Sequence, residues 1–395
     1  MTSYEDAIAW LFGTQRFGIK LGLENIQRLL AALGISAPGE RIIHVAGTNG
    51  KGSVCAMIDA IARAQGYRSG LFTSPHLVTF RERIQVNGEM ISPSAVAAGL
   101  MMIRALIHDW NPHPTFFEIT TALGLLHFRS EGCELIALET GLGGRLDATN
   151  AVTPIVSVLT PIDYDHQKWL GHSLAEIAAE KAGIIKRQVP VVSAIQPREA
   201  ETVIRHRAAE CEAPLEFVSQ QYDSSPLALH GMHQKQNAAV AIAALRTGRI
   251  AVDEGAVEEG LATVTWPARF QRWNDRIVID GAHNPAGARL AAAVWREEFG
   301  DEKAALVFGI LRDKDAAAVY RELAKVAGLV VLPCFRGERV MFPAELAEIV
   351  ASVTPRIRYQ IAPSCADALR IAQESSRRVL VAGSLHLAGE VLALL

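Results

Sequence analysis

The chain has 395 residues, 50% of them hydrophobic and 21% charged, with a formal net charge of −3. That length suits two domains better than one core, the composition is that of a globular protein, and the slight negative charge excludes a general nucleic-acid binder, which carries a basic excess. Its five cysteines are scattered, with no C-x-x-C pair and so no metal-ligand spacing. With no signal-peptide order at the start and no apolar run long enough to span a bilayer, a cytoplasmic protein with no membrane partner is expected.

Residues 4–12 and 23–33 read as short helices, with Phe17-Gly-Ile-Lys-Leu-Gly-Leu23 leading into the second. The stretch from Arg41 to Ser53 begins as a buried-type strand (Ile42, Ile43, Val45). It turns through Gly47, Gly50 and Gly52 around Lys51, then enters a helix whose Val54, Ile58 and Ile61 share one face. A glycine-rich turn between strand and helix aims backbone N–H groups at one point, at the positive end of the helix dipole. With Lys51 it makes a phosphate cradle from Gly47, Thr48, Asn49, Gly50, Lys51, Gly52 and Ser53. The strict G-x-x-x-x-G-K-[ST] pattern is not met: Val45 stands at the first glycine position, and the hydroxyl arrives one residue late, at Ser53.

A strand over 69–73 runs into Ser74-Pro75-His76-Leu77, polar groups just past a strand's carboxyl end, where open α/β sheets place ligands. A hairpin over 82–89 turns at Asn87-Gly88. A helix from Pro93 to about His108 follows, and Thr115-Phe116-Phe117-Glu118 leads a long apolar helix to about Phe128. The strand 135–138 ends at Glu139 and opens into Thr140-Gly-Leu-Gly-Gly-Arg-Leu-Asp-Ala-Thr-Asn150. A carboxylate directly after an apolar strand faces the same crevice as the phosphate turn and suits Mg²⁺. The strand 155–159 leads to Asp163-Tyr164-Asp165-His166, and a helix over 173–186 carries Glu180 and Lys181. Strand 190–194, helix 197–211, a short weakly patterned segment, His233 to Asn237 and an alanine-rich helix from Ala238 to about Leu245 complete this half.

Near Trp266 to Phe270 the alternation restarts, with strands at 276–280, 304–308, 328–333, 357–361 and 378–382 and helices between them. The fold class is therefore α/β, with two doubly wound domains: a larger P-loop-type domain over 1–267, which the resemblance given below makes an ATPase domain, and a smaller Rossmann-like domain over 268–395. The first strand of the second domain ends at Asp280-Gly-Ala-His-Asn-Pro285, the last at Gly383-Ser384-Leu385-His386.

In their order and spacing, these segments resemble bacterial folylpolyglutamate synthase/dihydrofolate synthase, of the Mur ligase superfamily. The resemblance implies an ATP-dependent ligase that joins L-glutamate to dihydropteroate and to tetrahydrofolate or its polyglutamates through an acyl phosphate. It implies ATP and Mg²⁺ (two ions) as cofactors, with K⁺ as a candidate monovalent ion, and small-molecule partners only, on a monomer. It places Mg²⁺ on Ser74, Glu139 and His166, and ATP on the cradle together with Asn237, Arg269 and Asp280. It makes Lys181 a carbamate, and puts His283 and Ser384 near the glutamate or acyl-phosphate end. The catalytic set is then Lys51, Lys181, His166 and His283. The pterin lies near Thr115, Phe116, Phe117, Glu118 and Asp147, with Phe117 to stack on it and Asp147 to accept its N–H donors. The alternatives are a monofunctional folylpolyglutamate synthase and a nucleotide-binding protein without chemistry. The presence of Ser74, Glu139, His166, Lys181, Asp280 and His283 argues against the latter. One departure stands out: the segment between Cys211 and His230 is short for the family, and a reduced edge sheet is expected there.

Overall fold

The computed structural model describes residues 3–18, 22–35, 41–337 and 339–395. Ile19, Lys20 and Leu21 of the early glycine-containing segment lie outside the described residues. The chain packs as two compact units. One holds 1–162, 170–226 and 236–264; the other holds 163–169, 227–235 and 265–395. A single cut at 267 therefore does not describe the packing: two polar stretches from the first half join the second unit. Asp165 is paired there with Lys314, and His230 with Glu298.

The first unit is built on strands β1 (Arg41–Ala46), β2 (Ser69–Phe72), β3 (Ile84–Val86), β4 (Glu89–Met90), β5 (Leu135–Glu139), β6 (Val156–Leu159), β7 (Val191–Ala194) and β8 (Leu215–Val218). Their order is β4-β3-β2-β5-β1-β6-β7-β8. From β2 to β8 all pairings are parallel, and the β3–β4 hairpin adds antiparallel strands at one edge. The central strands are buried except for Arg41 at the start of β1, as apolar runs covered on both faces by helices must be. β8 is the lone strand of the short segment after Cys211 and forms the far edge, which accounts for the weak patterning of its half-buried residues.

Helix ends follow local chemistry. Ser92, Thr115, Ser173 and Asp253 each accept a backbone N–H from the first turn of the helix they precede. The helix expected over 173–186 spans only Leu174–Ala182 and stops at Gly183, whose backbone lies against Arg145. The alanine-rich helix begins earlier than expected, at Met232, so that His233 to Asn237 lie on its first turns. The helix Glu254–Thr263 was not read from the sequence. It packs on the helix Lys51–Ala64, whose residues from Gly52 to Ala62 are buried.

The second unit is a sheet of β9 (Gln271–Arg272), β10 (Ile277–Ile279), β11 (Ala304–Phe308), β12 (Ala327–Pro333), β13 (Arg358–Ala362) and β14 (Val379–Ala382). Its order is β13-β12-β11-β14-β10-β9, parallel except for β9. β9, only two residues long, is the strand the sequence pattern did not reveal. Its core centres on Trp295, Phe308, Tyr320 and Phe270. No helix among the described residues is long and apolar enough to cross a membrane.

Candidate active site

The phosphate turn follows β1, whose Ile42, Ile43 and Val45 are fully buried. Gly47 (φ 151°) and Gly50 (φ 90°) have backbones that L side chains rarely adopt. A side-chain carbon at Gly47 would lie 1.9 Å from Thr160 Oγ1, and one at Gly50 would lie 2.7 Å from Asn237 Oδ1. Only glycine fits at either position, and Asn237 is brought to the side of the turn. The helix Lys51–Ala64 has no side-chain cap, and Val54 N–H is the donor to the Gly50 carbonyl. The N–H groups of Lys51, Gly52 and Ser53 thus sit at an open helix N-terminus, the natural place for a phosphate. Thr48 and Asn49 differ from expectation. Their N–H groups both donate to the Pro161 carbonyl, at 3.0 and 3.2 Å, so these two backbones brace the turn. Lys51 Nζ donates to the Gly47 and Thr48 carbonyls, at 3.1 and 3.3 Å. The buried Lys181 donates to the same Gly47 carbonyl at 2.8 Å. Two amines therefore converge on one oxygen of the turn.

β5 lies beside β1 with Glu139 opposite Val45, which puts that carboxylate next to the turn. Glu139 is buried, and its Oε2 accepts the Ser74 N–H at 3.0 Å. A carboxylate and a hydroxyl are the hard oxygen donors that Mg²⁺ takes alongside phosphate oxygens and water, so Glu139 and Ser74 fit that ion. Nearby, Arg83 is buried and donates from Nε to His76 Nδ1 at 2.8 Å. Burial pushes its guanidinium down to about 10, against the opposing pull of Glu139 and Glu82. Sequence reasoning missed this arginine, because it stands in a short 3-10 turn, Phe80–Arg83, with no motif around it.

The pterin-side residues divide into two kinds. Thr115 and Glu118 form a reciprocal capping box: Thr115 N–H donates to Glu118 Oε2 at 2.7 Å, and Glu118 N–H donates to Thr115 Oγ1 at 3.3 Å. They hold the helix Phe116–Ser130 in place. Phe116 and Phe117 supply ring surface, and both are partly buried against the core. The Phe117 ring lies on Gly141, where a side-chain carbon would come within 2.5 Å of it. Phe116 sits among Phe12, Phe80 and the Arg83 guanidinium. Asp147, expected to accept pterin N–H donors, is engaged by its own loop. Its Oδ2 accepts the N–H groups of Gly141 (2.9 Å) and Leu142 (2.8 Å), and its Oδ1 accepts Thr149 N–H (3.0 Å) and Oγ1 (2.5 Å). Burial pushes this carboxyl up, while those four bonds pull it down. A pterin N–H could reach Asp147 only by displacing one of them.

In the second unit, the strand ends again carry the polar groups. Asp280 follows β10 and accepts Phe270 N–H (2.7 Å) on one oxygen and Ala282 N–H (2.8 Å) on the other. Burial raises its carboxyl and the nearby Arg269 lowers it. Both oxygens therefore shape a turn. His283 Nδ1 lies 2.8 Å from the Gly281 carbonyl, and Nε2 lies 3.4 Å from Asp165 Oδ2. Asp165 also pairs with Lys314 and accepts from Asn284 Nδ2 at 3.2 Å. Burial alone would raise its carboxyl, yet His283, His166 and Lys314 together hold it well below the usual carboxylate range. His166 packs with this unit; its backbone is left-handed (φ 51°), and its Nε2 lies 3.5 Å from Lys314 Nζ. Ser384 is buried, and its Oγ accepts His386 N–H as the cap of the last helix. Lys314, in Asp313-Lys314-Asp315 after β11, was missed. Inspecting the end of every parallel strand in this half, and not only the first and last, would have found it.

A profile of the Mur ligase middle domain matches residues 45–245, and one of the Mur ligase glutamate ligase domain matches 268–385. A dihydrofolate synthase/folylpolyglutamate synthase of Bacillus subtilis is 34% identical over 434 aligned positions, which cover 99% of this chain and 98% of that protein. The chain belongs to the dihydrofolate synthase/folylpolyglutamate synthase family of Mur ligases. Solved members of the family superpose on it end to end. Escherichia coli FolC in complex with DHPP and ADP is 31% identical with a TM-score of 0.90, covering 100% of this chain and 99% of that one. The Yersinia pestis bifunctional enzyme complexed with AMPPNP and Mn ion is 29% identical with a TM-score of 0.89, covering 100% and 98%.

Proposed function

We propose that this Mur ligase uses ATP to add L-glutamate to dihydropteroate, and to tetrahydrofolate or its polyglutamates. The observation that carries the reading is the first unit's cluster: an open glycine turn with Lys51 and Lys181 on one carbonyl, beside Glu139 and Ser74. The open turn and Lys51 bind and orient the polyphosphate. The acceptor carboxylate attacks the γ-phosphorus, ADP leaves with the electron pair of the broken P–O bond, and an acyl phosphate results. The glutamate amine then attacks the acyl carbon, inorganic phosphate departs, and the amine gives up a proton.

Glu139 and Ser74, with His166 as the third assigned ligand, would hold Mg²⁺, which would supply charge neutralisation on the phosphates. Lys51 brings a mobile cation to the transferring group. Asn237, Arg269 and Asp280 are assigned to the nucleotide, and His283 and Ser384 to the glutamate end. Carbamylation of Lys181 replaces one of two neighbouring ammonium charges with a carboxylate, relieving their repulsion at the Gly47 carbonyl. K⁺ is assigned as the monovalent ion, a monomer as the working form and the cytoplasm as its location. On the acceptor side, Phe117 offers ring surface for the pterin. The full engagement of Asp147 by its own loop is the one observation favouring the narrower reading, a folylpolyglutamate synthase alone.

ADP release measured with dihydropteroate and with tetrahydrofolate, each with and without glutamate, tests the reading. Glutamate-dependent release with both acceptors is expected. Release with tetrahydrofolate alone would reduce the function to the narrower one, and release with neither would overturn it.

A further inference from the structure

The carboxylate that organises the loop after β5 is itself held from a different strand. His44 is fully buried in β1, three residues before the phosphate turn. Its Nε2 lies 2.8 Å from Thr149 Oγ1, and Thr149 Oγ1 donates to Asp147 Oδ1 at 2.5 Å. A hydroxyl has one proton to give, and an ionised carboxylate only accepts. With Asp147 ionised, Thr149 must therefore receive its bond from His44, whose proton sits on Nε2. His44 Nδ1 is buried without a partner, and in that tautomer it carries a lone pair and no proton. Burial, reinforced by Lys186, pushes the imidazole down to about 3, so the ring stays neutral. A buried ring nitrogen without a partner is unfavourable, and an apolar side chain would avoid it. The Nε2 bond is what a histidine gains at this position.

The chain of bonds has an end point that matters. Asp147 passes it on to the N–H groups of Gly141 and Leu142, two and three residues after Glu139. Gly141 is the floor on which the Phe117 ring lies. The phosphate turn is braced by other bonds, from Thr48 and Asn49 to Pro161. The acceptor side and the nucleotide side of this unit therefore depend on different hydrogen bonds. We propose that His44 is a positioning residue for the acceptor substrate, acting through Thr149 and Asp147 to set the loop that carries Gly141 and backs Phe117. The proposal rests on the ligase reading above.

The test uses full-length protein with His44→Leu, Thr149→Val, the double variant, and His44→Gln, which retains an N–H donor. Steady-state ADP release is recorded while acceptor and ATP are varied separately. Each single removal is expected to raise the acceptor KM about tenfold while leaving the ATP KM within about twofold. The double variant should be no worse than either single one, because the links act in series, and His44→Gln should return the acceptor KM to within about threefold of wild type. Matched rises in both KM values, additive effects in the double variant, or a His44→Gln as impaired as His44→Leu would each overturn the proposal. Should His44→Leu fail to fold, the near-isosteric Thr149→Val carries the same test. Unchanged KM values in variants of an active wild type overturn this proposal alone. A wild type that releases no ADP with any acceptor overturns the ligase reading and this one with it.

Discussion

The two units put polar groups at the carboxyl ends of parallel strands by different means. In the first, main chain does most of the holding. Lys51 and Lys181 bond to carbonyls, Glu139 accepts a backbone N–H, and Asp147 accepts three. In the second, Asp280 and Ser384 also accept backbone N–H groups, but the cluster at Asp165 is held by side chains: Lys314, His283 and Asn284 surround it. A group anchored to backbone can lose its charge and leave the scaffold standing. A group anchored to other charges takes its neighbours' geometry with it. Substitutions in the first unit should thus act on activity more cleanly than substitutions in the second.

The sharpest probe of that difference is Lys51→Ala. It removes the mobile cation while Gly47, Gly50 and the open helix end stay, so the fold should persist. Turnover should fall by about a hundredfold or more, the scale for losing a charge-stabilising group in phosphoryl transfer. Near-normal ADP release would show that the cradle is misassigned. Lys181→Ala and Lys181→Arg should be comparably inactive, since neither side chain can carry a carbamate. Electron density at high resolution showing a bare Lys181 amine, with nucleotide and metals bound, would refute the carbamate.

The complementary probe is Lys314→Met. Its partner Asp165 is as buried as it is, with both side chains 9% exposed. Removing Lys314 leaves the buried Asp165 carboxylate with only His283, His166 and Asn284 to offset it, and destabilisation of about 1–3 kcal/mol is expected. Activity and stability should fall together here, unlike in Lys51→Ala. Urea unfolding followed alongside ADP release checks this; an inactive Lys314→Met of wild-type stability would make Lys314 a direct participant in the chemistry.

The same contrast explains what could be read in advance. β1, its glycine turn and the helix after it are local in sequence, so periodicity and residue type were enough to place them. The five longer strands of the second sheet were legible for that reason too. The two-residue β9 is defined only by its antiparallel pairing with β10, a contact distant from any local signal. The helix Glu254–Thr263 was overlooked because its acidic, glycine-containing sequence has a weak apolar face. Asp165 was noted only as part of a loop, because its meaning comes from Lys314, 149 residues away. Asp147 was recognised as a site residue, yet its four internal bonds are a property of the folded loop and leave no trace in spacing.

Asp147→Ala measures how far backbone anchoring extends to the acceptor side. With its acceptors gone, the buried N–H groups of Gly141 and Leu142 lose their partner, at a cost of about 1–3 kcal/mol. Because the carboxylate is engaged by its own loop, ligation should weaken alike with dihydropteroate and with tetrahydrofolate. A loss confined to dihydropteroate, seen in parallel ADP-release assays, would mean that Asp147 trades a loop bond for a pterin N–H in the complex.

The smallest expected effect concerns protons. His44 is held neutral in the fold, its imidazole pushed down to about 3 by burial and by Lys186. In the unfolded chain it titrates at about 6.5. Between those values the unfolded state binds a proton that the folded state refuses, so stability is full above the unfolded pKa and declines as the pH falls below it. Going from about pH 7 to about pH 5.5 should remove roughly 1 kcal/mol through this residue alone. Other groups titrate over the same interval, so the informative quantity is the difference between wild type and His44→Gln, which has no ionisable group at that position. Urea midpoints at the two pH values should converge as the solution is acidified, the wild type losing more than the variant. Parallel losses would mean that the His44 imidazole takes up its proton within the fold, and that its surroundings are less closed than its contacts with Thr149 and the β1 core imply.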